Sequence, residues 1–338
     1  MTAYVARRDL GLDQIVTAPA YVPSSAAESL LGLRQGERIA VRDLLYGLLL
    51  ASGNDAAVAL ADASAGSTEA FVGQMNTAAR RLGLDRTSYA NPIGLDDPDN
   101  YSSASDLVEL AARLRRDRFL RTVVDTPATV LRTGSEPRDV VNRNALVRTV
   151  PYVNGVKTGY TLGAGNVLVA SATRHGVTLI SALLGAPTEA GRDADSLALL
   201  DYGFSLYHRR QPVSPGESLA TASLRYQDAD MVLNAVRGVR VTVRRGQRLA
   251  VSVDAPAEVE GPVAKGQRLG AVTVRLDGER VGSSPLVAAS SAAAADLGDR
   301  LDAAIPGPRL LAWAAIAVAV ALALIAAVAL WARRPPRR

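Results

Sequence analysis

Cysteine is absent from the 338 residues. That excludes a disulfide framework and any thiolate metal site. Lysine is nearly absent, with Lys157 and Lys265 the only two. The two histidines, His175 and His208, stand in loop-like contexts, and no Asp or Glu spacing asks for a metal, so neither metal nor organic cofactor is expected. No solenoid-type repeat is present. A strong excess of charge is lacking too. The formal net charge is +5, but Arg333, Arg334, Arg337 and Arg338 supply four of those charges. The rest of the chain carries a net +1, which excludes a nucleic-acid-binding body.

What is present fits a globular protein: 48% of residues are hydrophobic and 21% charged, enough to bury a sizeable core. Residues 310–332 form an unbroken apolar run, longer than the roughly 20 residues a membrane-crossing helix needs. Trp313 and Trp331 stand near its ends, where amphipathic rings favour the membrane interface. The arginines beyond it are expected to stay cytoplasmic, with everything before the span on the outer face. Such an export normally needs an N-terminal signal, and MTAYVARRDLGLDQ has no basic stretch followed by an apolar one.

Residues 41–50 read as a short apolar helix broken at Ser52-Gly53-Asn54, with Asp55 opening the next helix. Ser67, Thr68 and Glu69 open a further helix with Phe71, Met75, Ala79 and Leu82 on one stripe. Ser103 and Asp106 have capping-box spacing. Roughly the first 120 residues are expected to be helical hairpins and loops. Residues 129–132, 167–173 and 177–184 are β-branched and read as strands, with 195–207 a helix packed on them. From 211 to 288 the pattern alternates between turns, as in a small antiparallel β domain. The expected organisation is a mixed α/β (α+β) domain with an α-rich lobe over 1–210, the β domain over 211–288, a stalk over 289–309, a membrane helix over 310–332 and a basic tail over 333–338.

Two tripeptides carry chemistry. Ser52-Gly53-Asn54 lies between two helices, and Lys157-Thr158-Gly159 opens a strand region. Taken singly, Ser52 reads as a turn residue and Lys157 as a solvated charge. Taken together, in this order, they match the second and third signatures of the serine β-lactamase and penicillin-binding superfamily, S-x-x-K, S-D-N (here S-G-N) and K-T-G.

The surrounding runs DLLYGLLLASGNDAAVALAD (43–62), NRNALV (142–147), NGVKTGYTLGAGNVLVASATR (154–174) and PVAKGQRLGAVTV (262–274) resemble the low-molecular-mass D-Ala-D-Ala carboxypeptidases, over about residues 1–288. The resemblance implies a β-lactamase/transpeptidase-like fold and an acyl-enzyme reaction that removes the last D-alanine of peptidoglycan stem peptides. It implies β-lactams as further ligands. It also implies site roles. Ser52 relays a proton to the leaving amine and Asn54 bonds the substrate amide. Lys157 places a positive charge in the cleft and holds Ser52 in its network, and Thr158, followed by Gly159, offers its hydroxyl to the terminal carboxylate. Arg192 offers that carboxylate a fork, and Thr161 lies on the strand edge where substrate docks.

The first signature is missing. Asn154 stands three residues before Lys157 and Pro262 three before Lys265, so no S-x-x-K exists in the chain to supply a nucleophile and its base. Met1-Thr2-Ala3 resembles the stretch just after the motif lysine. The resemblance therefore implies that the serine, the lysine, the first strands and an export signal lie ahead of Met1. Two alternatives stay open at this point: a non-catalytic descendant that binds stem peptides or β-lactams, and a β-lactamase.

Overall fold

The computed structural model describes residues 1–304 and 308–332. The basic tail expected at 333–338 lies outside the described residues. Two compact units emerge, 1–207 and 208–338, so the division falls three residues before the expected one.

The first unit runs α1 (Thr2–Asp9), β1 (Ile15–Thr17), β2 (Arg38–Ala40), α2 (Val41–Tyr46), a π-helical turn (Gly47–Ala51), α3 (Asn54–Ala65), α4 (Thr68–Leu82), α5 (Ala104–Leu114), α6 (Arg118–Asp125), β3 (Ala128–Leu131), β4 (Arg138–Val141), α7 (Ala145–Thr149), β5 (Val153–Thr161), β6 (Gly165–Arg174), β7 (Val177–Ala186) and α8 (Glu189–Ser205). Helix α3 sits at the centre of the α-rich lobe. Ala56, Ala57, Ala59, Leu60 and Ala61 are all fully buried, because small side chains let neighbouring helices approach on more than one side. Ile39, Leu44, Leu45, Leu50, Phe71, Met75 and Leu120 complete this core.

A second core lies under the antiparallel sheet β5-β6-β7. Leu168, Ala170 and Ala172 project from one face of β6, as period-two alternation requires. They meet Leu200 and Phe204, which are four apart on α8. Strand β5 pairs only with β6 and so forms one edge of this sheet.

Helix starts follow the sequence signals: Ser67 Oγ accepts from Ala70 N and Ser103 Oγ from Asp106 N. Asp106 does not reach back to complete a capping box; its carboxylate instead accepts from Arg86 N and the Thr87 hydroxyl. The small ribbon β1–β2 interrupts the region expected to be helix and loop, and in a second ribbon, β3–β4, strand β3 falls where residues 129–132 were expected to form one.

One buried ion pair ties these ribbons together. Glu37 accepts from both terminal nitrogens of Arg138 at 2.7 and 2.8 Å, and from the amides of Arg34 and Ser135. Burial alone would raise its pKa, but these donors outweigh it and bring the carboxyl down to about 2. Gly134, at φ 104°, leaves room for the pair, since a Cβ there would meet Glu37 Oε1 at 2.5 Å.

The second unit contains β8 (Tyr207–Val213), β9 (Ser218–Leu224), β10 (Asp230–Ala235), β11 (Val239–Arg244), β12 (Leu249–Asp254), β13 (Glu258–Val259), β14 (Arg268–Leu276), β15 (Glu279–Ala288), α9 (Leu297–Ala304) and α10 (Pro308–Ala332). Six strands form one sheet in the order β12-β14-β15-β10-β9-β13, and β8 pairs with β11. Its pairs are antiparallel except β13 with β9. Val213, Met231, Leu233, Val272, Val274 and Leu286 fill the interior. Helix α9 occupies part of the stretch expected to be stalk. Within α10, residues Leu311–Val328 have a mean hydropathy of 2.7 and none of the window is buried, so this helix is long and apolar enough to cross a membrane.

Replacing Glu37 with Ala leaves Arg138 charged and little exposed, and is expected to cost roughly 3–5 kcal/mol, measured as a lowered urea midpoint. The folded pKa of Glu37 is depressed, so its contribution is complete above its ordinary value of 4.5 and is lost as pH falls toward about 2. Glu37→Gln should therefore flatten the acid limb of the stability profile in that window.

Candidate active site

The site is built where the α-rich lobe meets strand β5. The apolar residues of α2 drive the chain inward, and the π-helical turn carries it to Ser52. There the backbone turns left-handed, at φ 61° and ψ 36°. A non-glycine residue in that region carries a cost of about 1–2 kcal/mol, a kind of strain that gathers at functional sites. The turn ends the π-helical segment at Ser52. Gly53 follows, where a Cβ would approach Leu31 N and Leu31 Cβ at 3.2 Å. The middle position of the motif is small here because a second segment presses against it.

Across from Ser52 is Lys157, 105 residues later. Its Nζ donates to Ser52 Oγ at 3.0 Å and to the Thr158 carbonyl at 2.9 Å. Burial lowers the lysine pKa from 10.5 to about 8, and the charges of Arg143 and Arg192 push in the same direction. Gly159 pairs with Val167 on β6, and a Cβ at 159 would lie 2.8 Å from Val167 Cγ2. The glycine of the third motif thus answers to the neighbouring strand.

Ser52, Asn54, Lys157, Thr158, Gly159 and Arg192 line one cavity of about 900 Å³. Met1, Thr2 and Ala3, at the start of α1, stand on the same wall. Thr161 is not among the lining residues; its hydroxyl accepts from Ala164 N in the turn after β5. Arg192 is only 3% exposed, and its guanidinium is held by Asp193 at 2.9 Å and Glu189 at 3.7 Å. One turn of α8 therefore both carries this cation and fixes where it points.

Three further residues at the cavity, Arg143, Arg148 and Glu28, were not among the candidate site residues. Arg143 and Arg148 are exposed cations on its wall. The asparagines either side of Arg143 are almost fully buried. Asn142 donates to the carbonyls of Val124 and Thr126, and Asn144 donates to that of Gly155. Two locked neighbours leave Arg143 to project outward, and the N-R-N pattern is the signal that marks it. Glu28 has no local signal at all. It accepts from Asn54 Nδ2 at 2.9 Å, from the Tyr21 hydroxyl, and from both the amide and the hydroxyl of Ser24. Those bonds hold its carboxyl down at about 2. With Nδ2 donated to Glu28, Asn54 has its carbonyl oxygen left as an acceptor. Asp55 straps the same segment, accepting from the amides of Leu31, Gly32 and Leu33 at 2.8–2.9 Å.

The chemistry available is therefore a hydroxyl in contact with a lysine of lowered pKa, an oriented amide, and a set of cations suited to a carboxylate. No group of three or more His, Cys, Asp or Glu that could hold a metal occurs among the described residues.

Comparison with known proteins identifies the family of the chain. Residues 1–188 match the peptidase S11 family model, D-alanyl-D-alanine carboxypeptidase. Residues 207–293 match the C-terminal domain of penicillin-binding protein 5. The chain is 33% identical over 270 residues to the D-alanyl-D-alanine carboxypeptidase DacF of Bacillus subtilis, covering 78% of this chain and 69% of that protein. It is 36% identical over 270 residues to DacA of Escherichia coli, covering 78% and 66%. Among solved structures, penicillin-binding protein 5 of Haemophilus influenzae superposes with a TM-score of 0.58 at 30% identity, covering 86% of this chain and 88% of that one. The Streptomyces K15 DD-transpeptidase superposes with a TM-score of 0.56 at 38% identity, covering 61% and 85%. With a family model spanning more than half of its length and relatives above 30% identity, the chain belongs to the D-alanyl-D-alanine carboxypeptidase family of S11 peptidases.

Proposed function

We propose that the cavity binds the D-alanyl-D-alanine end of peptidoglycan stem peptides and contributes the acid and carboxylate-binding half of a serine carboxypeptidase reaction. The observation that carries this reading is the 3.0 Å bond from Lys157 Nζ to Ser52 Oγ. A serine hydroxyl held by a cation can pass a proton to the departing amine and be reprotonated from the site. Lys157, Thr158 and Arg192 take the terminal carboxylate, and Asn54 accepts from the substrate amide. The reaction forms a serine ester at the penultimate D-alanine carbonyl, releases the last D-alanine as amine, and ends when water cleaves the ester. The nucleophile and its base are an S-x-x-K pair, and residues 1–338 contain none.

The same reading assigns α10 as a membrane anchor with the two folded units on the outer face. Protease added to spheroplasts should then degrade residues 1–304 and spare the span; full protection of both units would overturn that topology.

The 338-residue chain should form no covalent adduct with fluorescent penicillin. Fusing an S-x-x-K segment from a relative ahead of Met1 should restore a 1:1 adduct. In that fusion, Ser52→Ala or Lys157→Ala should slow turnover of a D-Ala-D-Ala peptide by on the order of 10²–10⁴. A covalent adduct on the chain of 1–338 would sink the reading.

Binding of a D-Ala-D-Ala peptide should also depend on pH. Lys157 is cationic below about 8 and neutral above, so affinity should fall as pH rises through that value. Lys157→Arg should hold the affinity to higher pH and Lys157→Met should remove the step, both readable by NMR titration.

A further inference from the structure

Away from the cavity, the charge of the chain is uneven. Residues 1–207 hold twenty basic and twenty-two acidic side chains, whereas 208–288 hold twelve basic against eight acidic. Of these two regions, only the β domain carries an excess of positive charge. It is also unevenly placed there. Arg225 is paired with Glu258 at 3.3 Å and Glu260 at 3.6 Å, and Arg300 with Glu260 at 3.2 Å. The arginines at the other end of the sheet have no such partners among the described residues.

That end is built from two turns locked together. Arg244-Arg245-Gly246-Gln247-Arg248 joins β11 to β12, closed by Gln247 N on the Arg244 carbonyl at 3.0 Å. Asp277-Gly278 joins β14 to β15, both residues at positive φ, as an Asp-Gly hairpin turn requires. Arg248 N donates to Asp277 Oδ1 at 2.9 Å, Gln247 Nε2 donates to Oδ2 at 3.0 Å, and Asp277 N donates back to the Arg248 carbonyl. Asp277 is thus engaged by neutral donors and forms no ion pair among the described residues. Arg275 and Arg280 stand directly opposite each other across β14–β15. Like charges in that position weaken a hairpin, yet both are exposed and bond only to the Gly278 carbonyl and the Ser283 hydroxyl. Five guanidinium groups, on Arg244, Arg245, Arg248, Arg275 and Arg280, share this rim with two carboxylates, Asp277 and Glu279.

We infer that this rim is a second binding surface, for a carboxylate-bearing polymer of the cell wall. Arginine forks suit carboxylates. A repeating polymer engages several of them at once, which single exposed pairs, individually weak, need in order to hold. Position favours the wall over the bilayer. The rim lies at the start of β15, and the chain leaves toward the apolar helix from its end at Ala288, roughly 30 Å away at about 3.3 Å per residue. The class of polymer rests on the peptidoglycan reading of the cavity; the rim itself does not.

The test uses the full chain in phosphatidylcholine nanodiscs, pelleted with purified peptidoglycan sacculi at low salt. Arg244→Gln with Arg245→Gln and Arg248→Gln should weaken binding by about tenfold, while the same change at Arg80, Arg81 and Arg118 should not. At about 1 M salt, where the screening length is about 3 Å, wild type should fall to the level of the rim variant. Arg275→Gln with Arg280→Gln should weaken binding while raising the melting temperature, which a purely structural role would not do. Lys157→Met should retain sacculus binding even as it loses the D-Ala-D-Ala peptide, so the two readings fail separately. Rim variants that pellet like wild type would overturn the inference. So would loss of binding to phosphatidylglycerol vesicles with sacculus binding intact, and so would complete loss of sacculus binding in Lys157→Met.

Discussion

The bond from Lys157 to Ser52 joins the two halves of the first unit. Ser52 ends the apolar segment that enters the α-rich lobe, and Lys157 lies on the edge strand of the sheet. Their contact at 3.0 Å requires that both cores be packed in register. The left-handed turn at Ser52, Gly53 against Leu31 and Gly159 against Val167 are each conditions for it. Lowering the lysine pKa follows from the same closure, since burial and two neighbouring arginines act on it together.

Around that bond the site is an arrangement of constrained charges. Arg192 is buried, and its guanidinium is held by the carboxylates of Asp193 and Glu189. Glu28 and Asp55 are carboxylates of a different use. They collect amide and hydroxyl donors from the segment 21–33 and fasten it beside Asn54. Several donors converging on one carboxylate make it a rigid fastening. The β domain shows the opposite treatment: its rim arginines are exposed and form no ion pair among the described residues.

Much of this organisation was legible along the chain. The two motifs located both sides of the cavity, since each keeps its residues within three positions of one another. Of the stripe Phe71, Met75, Ala79 and Leu82, the first three are buried and Leu82, the last residue of its helix, is half-buried, and the caps at Ser67 and Ser103 form as read. The ribbon β1–β2 was not legible. Its strands are three residues each and are separated by a long loop, too short for alternation to register. Glu28 was missed for a related reason, its partner Asn54 being 26 residues away.

The sequence by itself determined the family, through the motifs and runs that carry its resemblance, and the order of helical lobe, sheet, β domain and apolar helix; it offered Ser52, Asn54, Lys157 and Arg192 as candidates. The order of elements is a property of local spacing and of hydrophobic period, which act over a few residues. Only the tertiary structure decided that Ser52 and Lys157 touch, that Arg143 and Arg148 share their cavity, and that Thr161 lies outside it. It alone placed five arginines of two separate turns on one rim. Those outcomes depend on strand pairing and on donors supplied from distant segments, and no local pattern carries that information.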